Sequence, residues 1–79
     1  MSNKMVYVVT GSEDGLLGVF GNVKAAYGVA KKYCGEDAPV KSYSLVLKTL
    51  RSLRSANVCD YGSRVTAYIT SCYFNEEVY

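Results

Sequence analysis

Two short segments rich in β-branched and aromatic residues, separated by a run of turn formers, constrain the fold of this 79-residue chain most strongly. Residues 5–10 read Met-Val-Tyr-Val-Val-Thr and residues 16–20 read Leu-Leu-Gly-Val-Phe, and both compositions favour strands. Between them stands a loop that ends in Asp14-Gly15, a strong signal for a tight turn. The pattern predicts an antiparallel β-hairpin over residues 5–20.

The middle of the chain has the three- and four-residue apolar spacing of two amphipathic helices. The first begins after Asn22, a residue suited to an N-cap, and ends before Gly35, a residue suited to a C-cap. The second begins at Ser42 or Ser44. Its apolar stripe consists of Tyr43, Val46, Leu47, Leu50 and Leu53. A strand over residues 40–47, where apolar and polar residues partly alternate, is the alternative for the start of this segment.

The last third of the chain has the pattern of a second hairpin. Residues 57–61 form a short strand segment, Gly62-Ser63 supply the turn, and residues 64–74 form a longer strand. Side chains of the longer strand alternate between two faces, and both faces carry aromatic residues. The sequence therefore predicts one α+β domain over residues 1–79, with a small antiparallel sheet, two helices on one face and the order ββααββ.

Composition argues against catalysis and metal binding. The chain has no His, the commonest metal ligand and acid–base group, and its acidic residues occur mainly as adjacent pairs in loops or in the tail. The three cysteines, Cys34, Cys59 and Cys72, form no CxxC pair, and an odd number of distant cysteines favours free thiols in a reducing, cytoplasmic compartment. No apolar run is long enough to cross a membrane. We therefore predict no enzyme activity, no cofactor and no metal site.

A basic stripe is predicted on the second helix. Lys48, Arg51 and Arg54 recur at steps of three, which leaves successive side chains about 60° apart around the helix and opposite its apolar face. Such a stripe fits an acidic protein surface or a phosphate backbone, and it is also typical of the solvated face of any amphipathic helix. The net charge of +2 is small for a nucleic-acid-binding protein. Weak binding of DNA or RNA through this stripe, together with Lys24, Lys31 and Lys32 of the first helix, is therefore the alternative to a protein partner.

Eight of the 79 residues are Tyr, too many for so small a chain to bury completely. Four have the spacing of core residues: Tyr7, Tyr27, Tyr33 and Tyr43. Four others are candidates for an exposed surface: Tyr61, Tyr68, Tyr73 and Tyr79. Because aromatic side chains are common interface anchors, we predict that Tyr68 and Tyr73, with Phe74 beside them, anchor a partner. A homodimer that buries part of the last strand is the other interpretation.

The hairpin of residues 6–20, followed by a helix that begins at Asn22, resembles small accessory proteins of tailed bacteriophages. The shared features are Val-Tyr-Val-Val-Thr-Gly-Ser-Glu-Asp-Gly at 6–15, Gly-Val-Phe at 18–20 and the helix, within the first 34 residues. The resemblance carries over no active-site residue. It implies a small protein in the cytoplasm of an infected bacterium, where such proteins bind and inhibit host or defence proteins, as anti-CRISPR proteins do. The resulting prediction is a non-enzymatic binding protein that occupies a surface of a bacterial protein complex.

Overall fold

Six elements follow one another in the predicted order ββααββ. The computed structural model describes the backbone of residues 3–75 and the side chains of residues 4–73. The strands are β1 (Asn3–Gly11), β2 (Gly15–Phe20), β3 (Ser55–Asn57) and β4 (Ala67–Asn75), and the helices are α1 (Val23–Cys34) and α2 (Tyr43–Leu53). The α+β class is confirmed.

The strands form one antiparallel sheet in the order β2-β1-β4-β3. β1 and β4 pair along their whole length, from Asn3 opposite Asn75 to Gly11 opposite Ala67. β2 lies outside β1, and β3 pairs only with residues 68–70 of β4. β4 is therefore a central strand, flanked by β1 and β3.

Tyr33 of α1 connects the helix to the first hairpin through a hydrogen bond and a ring contact. The Tyr33 hydroxyl accepts a hydrogen bond of 2.9 Å from the backbone N–H of Glu13, in the turn between β1 and β2. The Tyr33 ring lies directly against Gly11, so closely that a Cβ atom at that position would overlap it. The turn itself ends at Gly15, whose φ of 71° favours glycine.

Both helices begin at predicted caps. The Asn22 side-chain oxygen accepts a hydrogen bond of 2.8 Å from the backbone N–H of Ala25, and the Ser42 hydroxyl accepts one of 3.2 Å from Leu45. Residues 40–47 are therefore mostly helical, and the alternative strand for this segment is wrong.

The first strand of the second hairpin lies two residues earlier than predicted and is shorter. Residues 58–66 form a loop between β3 and β4. Lys41, which precedes α2, holds this loop: its backbone N–H donates to the Val58 carbonyl at 2.9 Å, and its ammonium group donates to the carbonyls of Asn57 at 2.9 Å and Cys59 at 3.2 Å. The Val58 backbone N–H also donates to the Ala67 carbonyl of β4 at 2.8 Å, so the loop stays beside β4 while Val58 and Cys59 are buried in the core.

The core lies between one face of the sheet and the inner sides of the helices, as predicted. Its largest fully buried side chains are Ile69 and Val9 of the sheet, Val46 of α2, and Val58 of the loop. The remainder are mostly alanines and other small residues. No polar or charged side chain among those the structure describes is buried. A core this thin leaves the fold dependent on constraints other than apolar burial.

The expectation of three free thiols is wrong. Cys34, the last residue of α1, and Cys59, in the loop after β3, form a disulfide bond with their Cα atoms 6.0 Å apart. Their separation of 25 residues gives no sign in the sequence that these two segments meet. Cys72 is free and exposed. Since disulfides persist in oxidising environments, the thiol argument for a reducing, cytoplasmic compartment no longer holds.

Candidate protein-binding site

A small apolar pocket lies between α2, the start of α1 and the helix-facing side of the sheet. Its volume is about 160 Å³, the size of one large side chain. The lining includes Met5, Val23, Leu47, Leu50, Arg51 and Ser71. Leu50 and Val23 also belong to the buried core, so apolar core side chains form part of the lining. Arg51 is the charged residue of the lining and is exposed, which places a guanidinium group beside an apolar cavity.

Arg54 and Tyr73 stand together next to this pocket. The guanidinium carbon of Arg54 lies 5.7 Å from the centre of the Tyr73 ring, a cation–π distance. The Arg54 carbonyl accepts hydrogen bonds from the backbone N–H and the hydroxyl of Ser71, at 2.8 and 3.3 Å. Ser71 itself lines the pocket, and Tyr73 is paired with Met5 of the lining. The Arg54–Tyr73 pair is thus adjacent to the pocket, because each of its residues is hydrogen-bonded or paired with a residue of the lining.

The three predicted basic residues do not form one helical stripe. Lys48 and Arg51 are exposed on α2, but the helix ends at Leu53. Arg54 is its C-cap in the left-handed conformation (φ 64°, ψ 4°), the one non-glycine residue of the described chain with a positive φ. The turn directs Arg54 toward β4, so that a basic and an aromatic candidate meet although they are far apart in sequence.

The predicted aromatic set is divided by the alternation of β4. Tyr68 lies between the buried residues Ala67 and Ile69 and is therefore on the sheet face opposite the helices, whereas Tyr73 is on the helix side. Both rings are exposed, as predicted. Phe74 pairs with Lys4 through its backbone, and its side chain lies outside the described residues. Tyr79 also falls outside them.

The core tyrosines are partly confirmed. Tyr7, Tyr27 and Tyr33 are half-buried, while Tyr43 stays exposed. Tyr27 donates its hydroxyl hydrogen to the Lys41 carbonyl at 2.7 Å, and its ring meets that of Tyr43 edge to face at 5.4 Å. These rings hold α1, α2 and the loop between them together, so their roles are structural.

Two exposed leucines of α2, Leu45 and Leu53, add to the candidate surface, and the exposure of Leu53 differs from the prediction. Leu53 was expected in the core but is largely exposed, and Leu45, outside the predicted stripe, is exposed too. Residues 40–57 contain four cationic residues and no acidic one. Lys41 is turned inward onto carbonyl groups. The outer surface of α2 thus combines exposed aliphatic side chains with positive charge.

The described residues contain neither a metal-binding cluster nor a membrane-spanning helix. Within residues 3–75, no three His, Cys, Asp or Glu side chains are grouped to hold an ion. Neither helix of that part of the chain is long and apolar enough to cross a membrane.

Compared with protein-family models, with curated proteins and with solved structures, the chain shows no significant match. The resemblance to phage accessory proteins therefore stays a prediction from the N-terminal residues. A function must be argued from the geometry of the site itself.

Proposed function

We propose that the protein is a non-enzymatic binding protein that docks on an acidic, partly apolar surface of a bacterial protein and thereby inhibits or modulates it. The observation that carries this proposal is the apolar pocket flanked by Arg51 and by the Arg54–Tyr73 pair. Interface hot spots are enriched in Tyr and Arg and cluster around well-packed pockets. The resemblance to phage accessory proteins supports a host or defence protein, of the kind that anti-CRISPR proteins bind, as the partner.

The pocket defines what the partner must offer. A volume of about 160 Å³ takes one aliphatic or aromatic side chain. A carboxylate next to that side chain would be within reach of Arg51, and guanidinium groups bind carboxylates with two parallel hydrogen bonds. Stacking on Tyr73 holds the Arg54 guanidinium in place before binding, which lowers the entropy lost in the complex. The expected partner motif is therefore a large apolar residue beside Asp or Glu.

Charge also favours an acidic partner over a neutral one. Lys48, Arg51 and Arg54 are exposed side chains of a segment without acidic residues, so that an approaching acidic surface meets three cationic groups. Such complementarity raises association rates and is screened by added salt. Leu45 and Leu53 supply the apolar contacts that keep the partner bound once it has arrived.

The proposal predicts that Arg51→Glu with Arg54→Glu strongly weakens partner binding. Reversing two charges at the centre of the interface should weaken binding at least about 30-fold, equivalent to about 2 kcal/mol. The tagged protein is incubated with nuclease-treated bacterial lysate, retained proteins are quantified by mass spectrometry, and the Kd of the purified partner is measured by calorimetry. The matched control is Lys31→Glu with Arg64→Glu, which makes the same charge change at exposed residues outside the pocket lining.

A protein retained by the wild type and by the control, and lost with the double variant, supports the proposal. Equal retention by all three contradicts it and leaves the basic residues as a solvated surface. Retention of nucleic acid in an untreated lysate, weakened steeply by salt, would favour the nucleic-acid alternative instead.

A further inference from the structure

A second cavity lies beside the disulfide bond, where the turn between β1 and β2, the end of α1 and the loop before β4 meet. Its volume of about 350 Å³ falls within the roughly 300–1,000 Å³ of small-molecule sites. We call it the disulfide cavity, and its lining includes Glu13, Tyr33, Cys34 and Arg64. Among the described residues, none lines both this cavity and the pocket beside Arg51.

Hydrogen bonds fix the sides of the disulfide cavity relative to one another. The Ser12 backbone N–H donates to the Thr66 carbonyl at 2.9 Å, and the Ser12 hydroxyl accepts from the Thr66 N–H at 3.1 Å. The Glu13 N–H donates to the Tyr33 hydroxyl at 2.9 Å. The turn that carries Glu13 is therefore held both to the segment that follows Arg64 and to the end of α1, so the cavity is formed before any ligand binds.

The polar groups of the disulfide cavity suit a ligand that carries both charges. Glu13 and Arg64 are exposed, and neither forms an ion pair with any residue that the structure describes. The Tyr33 hydroxyl accepts a hydrogen bond from Glu13, and its own hydrogen has no acceptor within the described part of the chain. A guanidinium group binds a carboxylate, a carboxylate binds an ammonium group, and the hydroxyl adds a donor. The ligand class is therefore a small zwitterion.

The reactive group of the lining is one sulfur of the disulfide. Cys34 borders the cavity, whereas Cys59 is 2% exposed and belongs to the core. The rate of thiol–disulfide exchange depends on which sulfur is accessible and on how well the other sulfur carries negative charge as it leaves. The Lys41 ammonium group donates to the Cys59 carbonyl at 3.2 Å, which places a positive charge beside the residue whose sulfur leaves. Access and charge therefore both favour attack at Cys34.

We propose that the disulfide cavity binds a low-molecular-weight thiol that carries a carboxylate and an ammonium group, and that this thiol modifies Cys34. The thiol loses its proton to water, its thiolate forms a new S–S bond with the Cys34 sulfur, and the bond to Cys59 breaks. The electron pair leaves with the Cys59 sulfur, which takes up a proton. The incoming thiol is thereby oxidised to a mixed disulfide, Cys59 is reduced to a thiol, and α1 loses its covalent link to the loop after β3.

The test compares two thiols in a Cys72→Ala background, in which Cys34 and Cys59 are the only cysteines. Glutathione carries carboxylate and ammonium groups, and 2-mercaptoethanol carries neither. Arg64→Gln removes the charge that binds the carboxylate, and the matched control, Lys24→Gln, removes the same charge from an exposed residue at the other end of α1. Loss of the disulfide is followed by mass spectrometry of samples quenched with N-ethylmaleimide.

We expect Arg64→Gln to slow the reaction with glutathione at least about fivefold, since charged clefts change association rates by about 10- to 1,000-fold. With 2-mercaptoethanol the variant should react at the wild-type rate, which shows that the fold opens equally often in both. Lys24→Gln should leave both rates unchanged. Peptide mapping of the quenched samples should place glutathione on Cys34 and N-ethylmaleimide on Cys59.

The ammonium contact is tested separately with Glu13→Gln. N-acetylglutathione lacks the ammonium group and should react with the wild type more slowly than glutathione does. With Glu13→Gln the two thiols should react at the same rate, because the carboxylate that distinguishes them is gone. Equal rates of the two thiols with the wild type would overturn the assignment of a zwitterionic ligand.

Four other outcomes would each overturn the proposal. They are equal slowing of both thiols by Arg64→Gln, which would assign the effect to stability, no slowing of glutathione, equal slowing of glutathione by Lys24→Gln, and glutathione attached predominantly to Cys59. None of them bears on the proposed partner-binding site, because Arg51 and Arg54 are intact in every variant.

Discussion

Reduction of the Cys34–Cys59 bond is expected to lower the free energy of unfolding by about 3.5 kcal/mol, the chain-entropy value for a closed loop of this length. The bond joins residues 25 positions apart and connects the end of α1 to the loop after β3. A chain of this size has a total stability of only about 4–12 kcal/mol, so the loss is a large fraction of it. Urea unfolding followed by circular dichroism, with and without dithiothreitol, measures the difference.

The same experiment has a direct chemical check. The denatured, unreduced protein should show one reactive thiol, from Cys72, and the reduced protein should show all three. Cys34→Ala with Cys59→Ala should reproduce the effect of reduction, while Cys72→Ala, at an exposed residue, should change stability by no more than about 0.5 kcal/mol. Three reactive thiols in the unreduced protein would contradict the disulfide.

Substitution of Gly11 by Ala is expected to destabilise the fold by about 1–3 kcal/mol, the usual cost of inserting a methyl group into filled space. The new Cβ would lie 2.6 and 2.9 Å from the Cε2 and Cε1 atoms of the Tyr33 ring. That ring is restrained, because its hydroxyl accepts a hydrogen bond from the Glu13 N–H. Gly28→Ala is the matched control: apart from its chain neighbours and the backbone of α1 itself, no atom lies within 4 Å of its Cβ position. In the interior of α1 this change should stabilise by about 0.5–1 kcal/mol.

A double-mutant cycle decides whether the Tyr33 ring is the cause. In a Tyr33→Ala background, Gly11→Ala should lose most of its cost, because the methyl group then has space. Equal costs in both backgrounds, measured by urea unfolding, would show that the sensitivity of Gly11 has another origin.

Local signals allowed most of the fold to be predicted. Side chains of Asn22 and Ser42 bond to backbone N–H groups three residues later, so they identify helix starts whatever the tertiary structure. The first hairpin depends on its own turn. Contacts between distant segments could not be predicted in this way. No local pattern indicates that Cys34 meets Cys59 or that the Tyr33 ring lies on Gly11.

In the candidate site, too, local features were predicted from the sequence and contacts between distant segments were not. Composition and spacing selected Lys48, Arg51 and Arg54, but the positive φ that ends α2 and turns Arg54 toward Tyr73 follows from packing, not from helical periodicity. Period-two alternation, by contrast, was available in the sequence and already separates Tyr68 from Tyr73. The pocket beside Arg51 could not be predicted, because its lining comes from β1, α1, α2 and β4.

The pairing of β1 with β4 determines when this protein can fold. The centre of the sheet joins residues 3–11 to residues 67–75, so its contacts have nearly the largest sequence separation that these residues allow. Such non-local pairing slows folding, because a long loop must close before the contacts form. During synthesis β1 and its hairpin emerge from the ribosome before β4, the neighbour that completes the centre of the sheet. The edge of β1 that pairs with β4 is exposed throughout that interval, and we expect the sheet to be completed only after residue 75 has left the exit tunnel.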